Sequence, residues 1–352
     1  MVDPMRVRTL AFTLLWPLAG AFAAAPETGL VAAKPLVVDP VCDGAADPTV
    51  IWNPQVGKWW MFYTNRRANV PGLSGVAWVH GSKIGIAESA DRGAHWSYVG
   101  TADIPLPPEI GGDQPTEWAP DVIAAPDGTF RMFVSVVPGI FEDWKHPRRI
   151  VEVTSSDLRH WTNPRVLSLV SDRVIDPSLC RLPDGTWRMW YNNERDHKST
   201  YYADGSDLDH WTQREKAIGT GDQAGEGPKI FTWHGSFWMI VDVWHGLAVY
   251  RSTDALHWQR QSGDNLVAEP GRGPDDGAKG GHPDVVVSGN RAYLFYFVHP
   301  GWTGSPAKQG STGARRSVIQ VTELHWDRGT GRLSCDRDLP THIDLQPLKP
   351  AA

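Results

Sequence analysis

The sequence predicts an all-β protein, a five-bladed β-propeller with four antiparallel strands per blade and a central pocket. Three observations predict it: a proline phrase that returns five times, a His-Trp phrase that trails each copy, and almost no helical periodicity of useful length after the amino terminus. The proline phrase first reads Asp47-Pro48-Thr49-Val50-Ile51. It returns as Ala119-Pro120-Asp121-Val122-Ile123, Asp176-Pro177-Ser178-Leu179-Cys180, Gly227-Pro228-Lys229-Ile230-Phe231 and His282-Pro283-Asp284-Val285-Val286. Each copy leads through a short turn, such as Asp127-Gly128, Asp184-Gly185, His234-Gly235 or Gly289-Asn290, into a second, aromatic-rich strand. The trailing phrases run Ile84 to Trp96, Ile150 to Trp161, Thr200 to Trp211, Leu247 to Trp258 and Val318 to Trp326. Two hairpins per repeat make a four-stranded sheet, and five sheets around an axis make the propeller. An open β-sandwich gives no reason for both phrases to return in the same order.

The chain ends frame this ring. Arg6 and Arg8 precede an apolar run from Leu10 to Ala21 that closes in Ala21-Phe22-Ala23-Ala24-Ala25, the pattern of a secretory signal peptide cut after Ala23. The run is too short to span a bilayer and has no cysteine at its end for a lipid, so we expect a secreted or periplasmic protein without membrane insertion. The expected organisation is a signal peptide over 1–23, a lead-in over 24–42, the propeller over 43–340 and a tail over 341–352.

Composition narrows the function. A net charge of -6 without a basic run argues against nucleic acid, and no obligate protein partner is evident. Cys42, Cys180 and Cys335 are far apart and lack metal-type spacing, so at most one disulfide can form. Eighteen Trp against ten Phe suits a repeated structural tryptophan or a surface that stacks on sugar rings. The five His-Trp tryptophans are assigned to packing between blades.

Propeller geometry brings the proline phrases to one end of the channel, and the loops after the second strands return to the same face. Asp47, Asp121, Asp176, Glu226 and Asp284 gather there, with His282 beside the last. A single Asp-Pro pair is ordinarily a turn carboxylate bonded to nearby backbone N–H groups. Several acids at convergent positions are different, because like charges crowded into a low-dielectric pocket cost stability unless paired or used. Asp121 follows its proline, so strand alternation can point it away from the channel.

Ala46-Asp47-Pro48, Ile175-Asp176-Pro177 and Glu226-Gly227-Pro228 resemble the signature segments of glycoside hydrolase family 43 and related five-bladed glycosidases. Trp118-Ala119-Pro120 and Gly281-His282 resemble the second- and fifth-blade phrases of that group, and the resemblance runs from about Asp43 to Trp326. It implies an O-glycosyl hydrolase acting on a plant or algal oligosaccharide or polysaccharide. Asp47 is then the general base, Glu226 the general acid, and Asp176 the residue that raises the pKa of the acid and holds it in place. In an inverting mechanism the acid protonates the departing oxygen while the base activates water across the sugar. No cofactor is required; His282 resembles a histidine that approaches an axial calcium ion through water in many relatives, and a sugar contact or a core role suits it equally.

Other residues are candidates for substrate binding. Glu194, on the rim of the third blade, is the alternative acid. Arg66 and Arg67 suit sugar hydroxyls or a uronic carboxylate, and Trp118 and Trp244 stand where a sugar ring can stack. Arg66, Arg67 and Arg195 together would suit a phosphorylase, and a sugar-binding propeller without catalysis would keep the aromatic rim but not the acid trio. The insertion from Ala68 to Gly81 suggests a walled pocket and exo attack. The loop Gly273-Pro274-Asp275-Asp276-Gly277 is expected to close over the site. Arabinofuranosidase, xylosidase and galactosidase activities all remain open.

Overall fold

The computed structural model describes Met1 and residues 29–218, 224–302 and 311–347; past Met1, the segment expected to be a signal peptide lies outside them. Five four-stranded antiparallel sheets follow one another along the chain. The first blade is β2 (Ala45–Asn53), β3 (Lys58–Asn65), β4 (Lys83–Ser89) and β5 (Ser97–Thr101), and the second β6 (Thr116–Ala124), β7 (Phe130–Val137), β8 (Arg149–Ser155) and β9 (Thr162–Val166). The third is β10 (Val174–Arg181), β11 (Trp187–Asn193), β12 (Ser199–Gly205) and β13 (Thr212–Ile218). The fourth is β14 (Glu226–Trp233), β15 (Ser236–Asp242), β16 (Leu247–Ser252) and β17 (Gln259–Arg260), and the fifth β18 (Gly280–Ser288), β19 (Arg291–Val298), β20 (Val318–Asp327) and β21 (Arg332–Ser334). Each innermost strand touches the next, and β18 returns to β2, which closes the ring. Among the described residues no blade borrows a strand from the other end of the chain. Instead β1 (Leu30–Val31) pairs with β22 (His342–Ile343), and Trp59 Nε1 donates to the Leu345 carbonyl at 3.1 Å.

The core lies between blades, which is why strands such as β3 and β11 are buried on both faces and read as continuous apolar runs. The His-Trp tryptophans join these cores in rotation. Trp161 meets Phe62 of the preceding blade edge to face at 5.9 Å, Trp211 meets Phe133 at 5.9 Å, Trp258 meets Trp190 at 6.0 Å and Trp326 stacks on His234 at 4.2 Å. Trp96 completes the circle by packing on the cluster that holds Tyr293 and Phe295 of the fifth blade. In the first four blades an acidic residue before the His-Trp pair caps its own turn, as Asp254 accepts from the Leu256 and His257 N–H groups and from the His257 ring, whereas in the fifth Glu323 pairs with Arg291.

The proline phrase turns out to be a β-bulge repeated in every blade. The register between innermost and second strands slips between Ala46 and Thr49, Trp118 and Asp121, Ile175 and Ser178, Glu226 and Lys229, and Gly281 and Asp284. The residue before each proline takes positive φ: Asp47 51°, Ala119 46°, Asp176 58°, Gly227 57° and His282 35°. Such strain, about 1–3 kcal/mol per non-glycine residue, persists where a fold over-determines it and recurs at functional sites.

Candidate active site

Aligned on their prolines, the five acids expected at one position fall into two tiers. Asp47 and Asp176 precede the proline, with Glu226 one residue earlier, and they form the upper tier. Asp121 and Asp284 follow it and lie one layer deeper. His282 sits at the centre of the upper tier. Its Nδ1 is 3.5 Å from Asp47 Oδ1, and its ring lies so close over Gly227 that a Cβ there would come within 2.7 Å of it. Glycine at 227 therefore meets both the positive φ and the close approach. Asp176 accepts from the Gly227 N–H at 2.9 Å, while its own N–H donates to Ser135 Oγ at 2.9 Å. Carboxylates from blades one, three and four thus surround one imidazole.

Their charges are set differently. Burial would push Asp47 up, but Arg66, with Nη2 at 2.8 and 3.1 Å from the two oxygens, and His282 hold it below the usual carboxylate range. Arg66 is steadied in turn by His299 Nε2 at 3.3 Å and lies 4.6 Å over the Phe297 ring. Asp176 is pushed up to about 7, by burial first and then by repulsion from Glu226 and Asp47, against the pull of His282. Glu226 goes the other way. Burial opposes its charge, yet Lys198 Nζ at 2.7 Å, a hydrogen bond from Trp244 and His282 hold it low. The expectation that Asp176 raises Glu226 is therefore not met in the resting site: burial and repulsion push Asp176 up, while Lys198 holds Glu226 low. Lys198 has a second partner, Glu194 Oε1 at 3.3 Å, and lies 5.0 Å over the Trp244 ring. Glu194 is also paired with Arg148, so it stands as a counter-charge between two cations rather than as a free acid.

Asp242, at the end of β15, supports the floor: it accepts from the Trp244 N–H at 2.8 Å and the His282 N–H at 3.0 Å. Burial raises its pKa, with Lys279 opposing.

The expected substrate contacts divide. Arg66, Glu194, Trp244 and His282 meet at the site, and Trp244 is 41% exposed, as a stacking face requires. Trp118 is buried, with Nε1 donating to the Val79 carbonyl at 2.6 Å. Half-exposed Trp144, which sequence reasoning missed, covers it at 6.1 Å. Arg67 donates to the Ala77 and His80 carbonyls at 2.6 Å and braces the insertion rather than facing a ligand. Arg195 is held by Asp172 at 2.7 and 2.9 Å on the surface. The three-arginine cluster that a phosphorylase would use is not formed. Asp121 faces the channel despite following its proline, but its oxygens take Lys229 Nζ at 3.0 Å and the Leu179 N–H at 2.7 Å.

The insertion stands as a wall. Val76 N–H donates to the Glu142 carbonyl of blade two at 3.1 Å, Arg315 of blade five holds the Leu73 carbonyl at 2.7 Å, and Trp78 meets His299 edge to face at 5.9 Å. The acidic loop expected to close over the site is instead pinned to blade five. Asp275 pairs with Arg316 at 2.9 Å, Asp276 is buried against Arg337, and Gln320 holds the Pro274 carbonyl at 2.9 Å. All three cysteines are free. Among the described residues no group of three or more His, Cys, Asp or Glu is placed to hold a metal, and no helix is long and apolar enough to cross a membrane.

The family model for glycosyl hydrolases family 43 matches residues 73–330, so the segment carrying Asp47 precedes the match. Solved structures share the fold. A thermostable family-43 glycoside hydrolase superposes with a TM-score of 0.61 at 17% identity, over 88% of this chain and 96% of its own. A family-43 β-xylosidase/α-arabinofuranosidase from a compost microbial metagenome, solved with xylotriose in a calcium-free form, gives 0.58 at 17% identity over 87% and 98%. A family-43 β-1,3-galactosidase with galactodeoxynojirimycin gives 0.59 at 16% over 84% and 95%. No curated protein matches the chain at the level of sequence.

Proposed function

The chain belongs to glycosyl hydrolase family 43 and is a glycoside hydrolase, and from that premise we propose an exo-acting, inverting enzyme that removes a terminal sugar from a plant or algal glycan. The observation that carries this reading is the convergence of Asp47, Asp176 and Glu226 on His282 from three blades, each carboxyl in a different charge environment. Asp47, kept ionised by Arg66, takes a proton from water as the water oxygen attacks the anomeric carbon. The bond from that carbon to the glycosidic oxygen breaks, and Glu226 delivers a proton to the departing oxygen. Asp176 is the reservoir: it holds the shared proton in the resting site and passes it to Glu226 when Lys198 turns from Glu226 to Glu194. An entering sugar that stacks on Trp244 displaces Lys198 from above that ring and so couples binding to arming of the acid.

The wall of residues 68–81, fixed to blades two and five, favours attack at a chain end. Xylosides, arabinofuranosides and galactosides are the first substrates to try, because solved relatives bear those names. The basic and apolar run near the amino terminus supports export to the periplasm or medium. Proton NMR of the first-formed sugar tests the reading: an inverted anomer is expected, and a retained one would mean that the second carboxylate acts as a nucleophile. Failure to release sugar from any member of a plant and algal oligosaccharide panel would refute the substrate class.

A further inference from the structure

The tier beneath the acids holds the residue after each proline: Thr49, Asp121, Ser178, Lys229 and Asp284, one from each blade. Lys229 Nζ lies 3.0 Å from Asp121 Oδ1 and 2.7 Å from Asp284 Oδ1, bridging blades two, four and five. Asp121 Oδ2 takes the Leu179 N–H of blade three at 2.7 Å, and Asp284 Oδ2 takes the Val50 N–H of blade one at 2.9 Å. Ser178 Oγ accepts from the Ile230 N–H at 3.2 Å. Lys229 is a structural cation fixed between two buried carboxylates.

An axial calcium ion, suggested by the likeness of His282 to a metal-approaching histidine, does not fit these residues. Calcium takes six to eight oxygen ligands, whereas the inward oxygens of Asp121 and Asp284 already face an ammonium. In the tier above, His282 Nδ1 faces Asp47, whose two oxygens are held by Arg66. A divalent ion on the axis would meet Lys229 from below and Arg66 from the side, and like charges in a low-dielectric channel repel strongly.

We infer that the chain supplies its own axial cation, the Lys229 ammonium, and that this replaces a divalent ion in holding the channel strands together. Two arms test this on the purified full-length chain. In the wild type, EDTA is expected to leave Tm and kcat unchanged, and calcium chloride added to the chelator-treated protein to give no binding heat. A Tm or kcat that falls with EDTA and returns with calcium overturns the inference, and this arm requires no variant. In Lys229→Ala, which leaves two buried carboxylates facing a vacated space, Tm is expected to fall by on the order of 10 °C. Calcium is expected to raise it again in this variant alone. A Tm that Lys229→Ala leaves unchanged overturns the inference. Should the variant not fold, Lys229→Ala with Asp121→Asn and Asp284→Asn removes the unpaired charge; it is expected to recover the fold and ignore calcium, and failure to recover overturns the assignment. Tm and binding heat are independent of which sugar is cleaved, so these outcomes stay separate from the proposed activity.

Discussion

The two tiers of the channel use the same repeated bulge and the same residue types, yet their charges are arranged to opposite ends. In the lower tier Lys229 is locked between Asp121 and Asp284, whose outer oxygens are taken by backbone N–H groups of neighbouring blades. In the upper tier each cation approaches from the rim, and one has a choice: Lys198 touches both Glu226 and Glu194. A carboxylate with a permanent partner is structural, while one whose partner can leave can change its protonation during a reaction. The same fold thus provides a rigid floor and a titratable ceiling, separated only by the proline of each phrase.

The largest expected effects come from removing the upper acids. Asp47→Asn should lower kcat by about 10²–10⁴-fold on every substrate, because the attacking water loses its base. Glu226→Gln should cost as much on a natural glycoside but clearly less on an aryl glycoside whose leaving group departs without a proton. Equal losses on both substrates would remove Glu226 from the acid role.

Asp176 sharpens the contrast through stability. A carboxyl raised to about 7 from an ordinary 3.8 binds its proton more tightly in the folded state. The stability this contributes is complete below pH 3.8 and is lost as pH rises through about 7. Asp176→Asn keeps the shape and cannot ionise, so denaturation above pH 7 should show it more stable than the wild type by about 1–4 kcal/mol, while activity falls. Equal stability of the two proteins at pH 8 would mean that Asp176 is not strained by charge.

Lys198 is the exchangeable partner itself. Since it holds Glu226 below its usual range in the resting site and Glu226 acts in the protonated form, Lys198→Met should move the alkaline limb of the kcat/KM profile, which reports the free enzyme, to higher pH. Lys198→Arg should keep the limb in place. A limb unmoved in the methionine variant, with KM alone raised, would make Lys198 a substrate contact only.

The blades, their order and the meeting of Asp47, Asp176 and Glu226 at one end of the channel were legible in the sequence because each depends on local chemistry: turn residues, alternating apolar strands and a proline that marks the bulge. The two tiers were hidden by treating the acids as one equivalent set. Alignment on the proline exposes a second column, Thr49, Asp121, Ser178, Lys229 and Asp284, in which a lysine stands among acids and hydroxyls. Lys198 left no comparable signal. It reaches Glu226 because His197 and Lys198 both take positive φ, 52° and 57°, and fold the β11–β12 connection back over the pocket. Asp242 likewise acts through backbone N–H groups brought to it from a turn and from the next blade. Such partners are fixed by three-dimensional closure rather than by spacing along the chain.

The smallest effect is expected at Arg195, which separates nearness in sequence from membership of the site. It follows Glu194 directly, so on sequence alone it belongs with the rim cations. In the structure its guanidinium lies on the surface, held side-on by Asp172 at 2.7 and 2.9 Å, while Glu194 beside it points inward to Lys198 and Arg148. Exposed ion pairs of this kind contribute little to folding, since water solvates both partners well. Arg195→Ala should therefore leave kcat/KM within about twofold of the wild type, a change too small for a lost transition-state contact. A drop of tenfold or more on a neutral glycoside would place the guanidinium at the bound sugar, and the upper tier would then extend along the rim of blade three beyond Glu194.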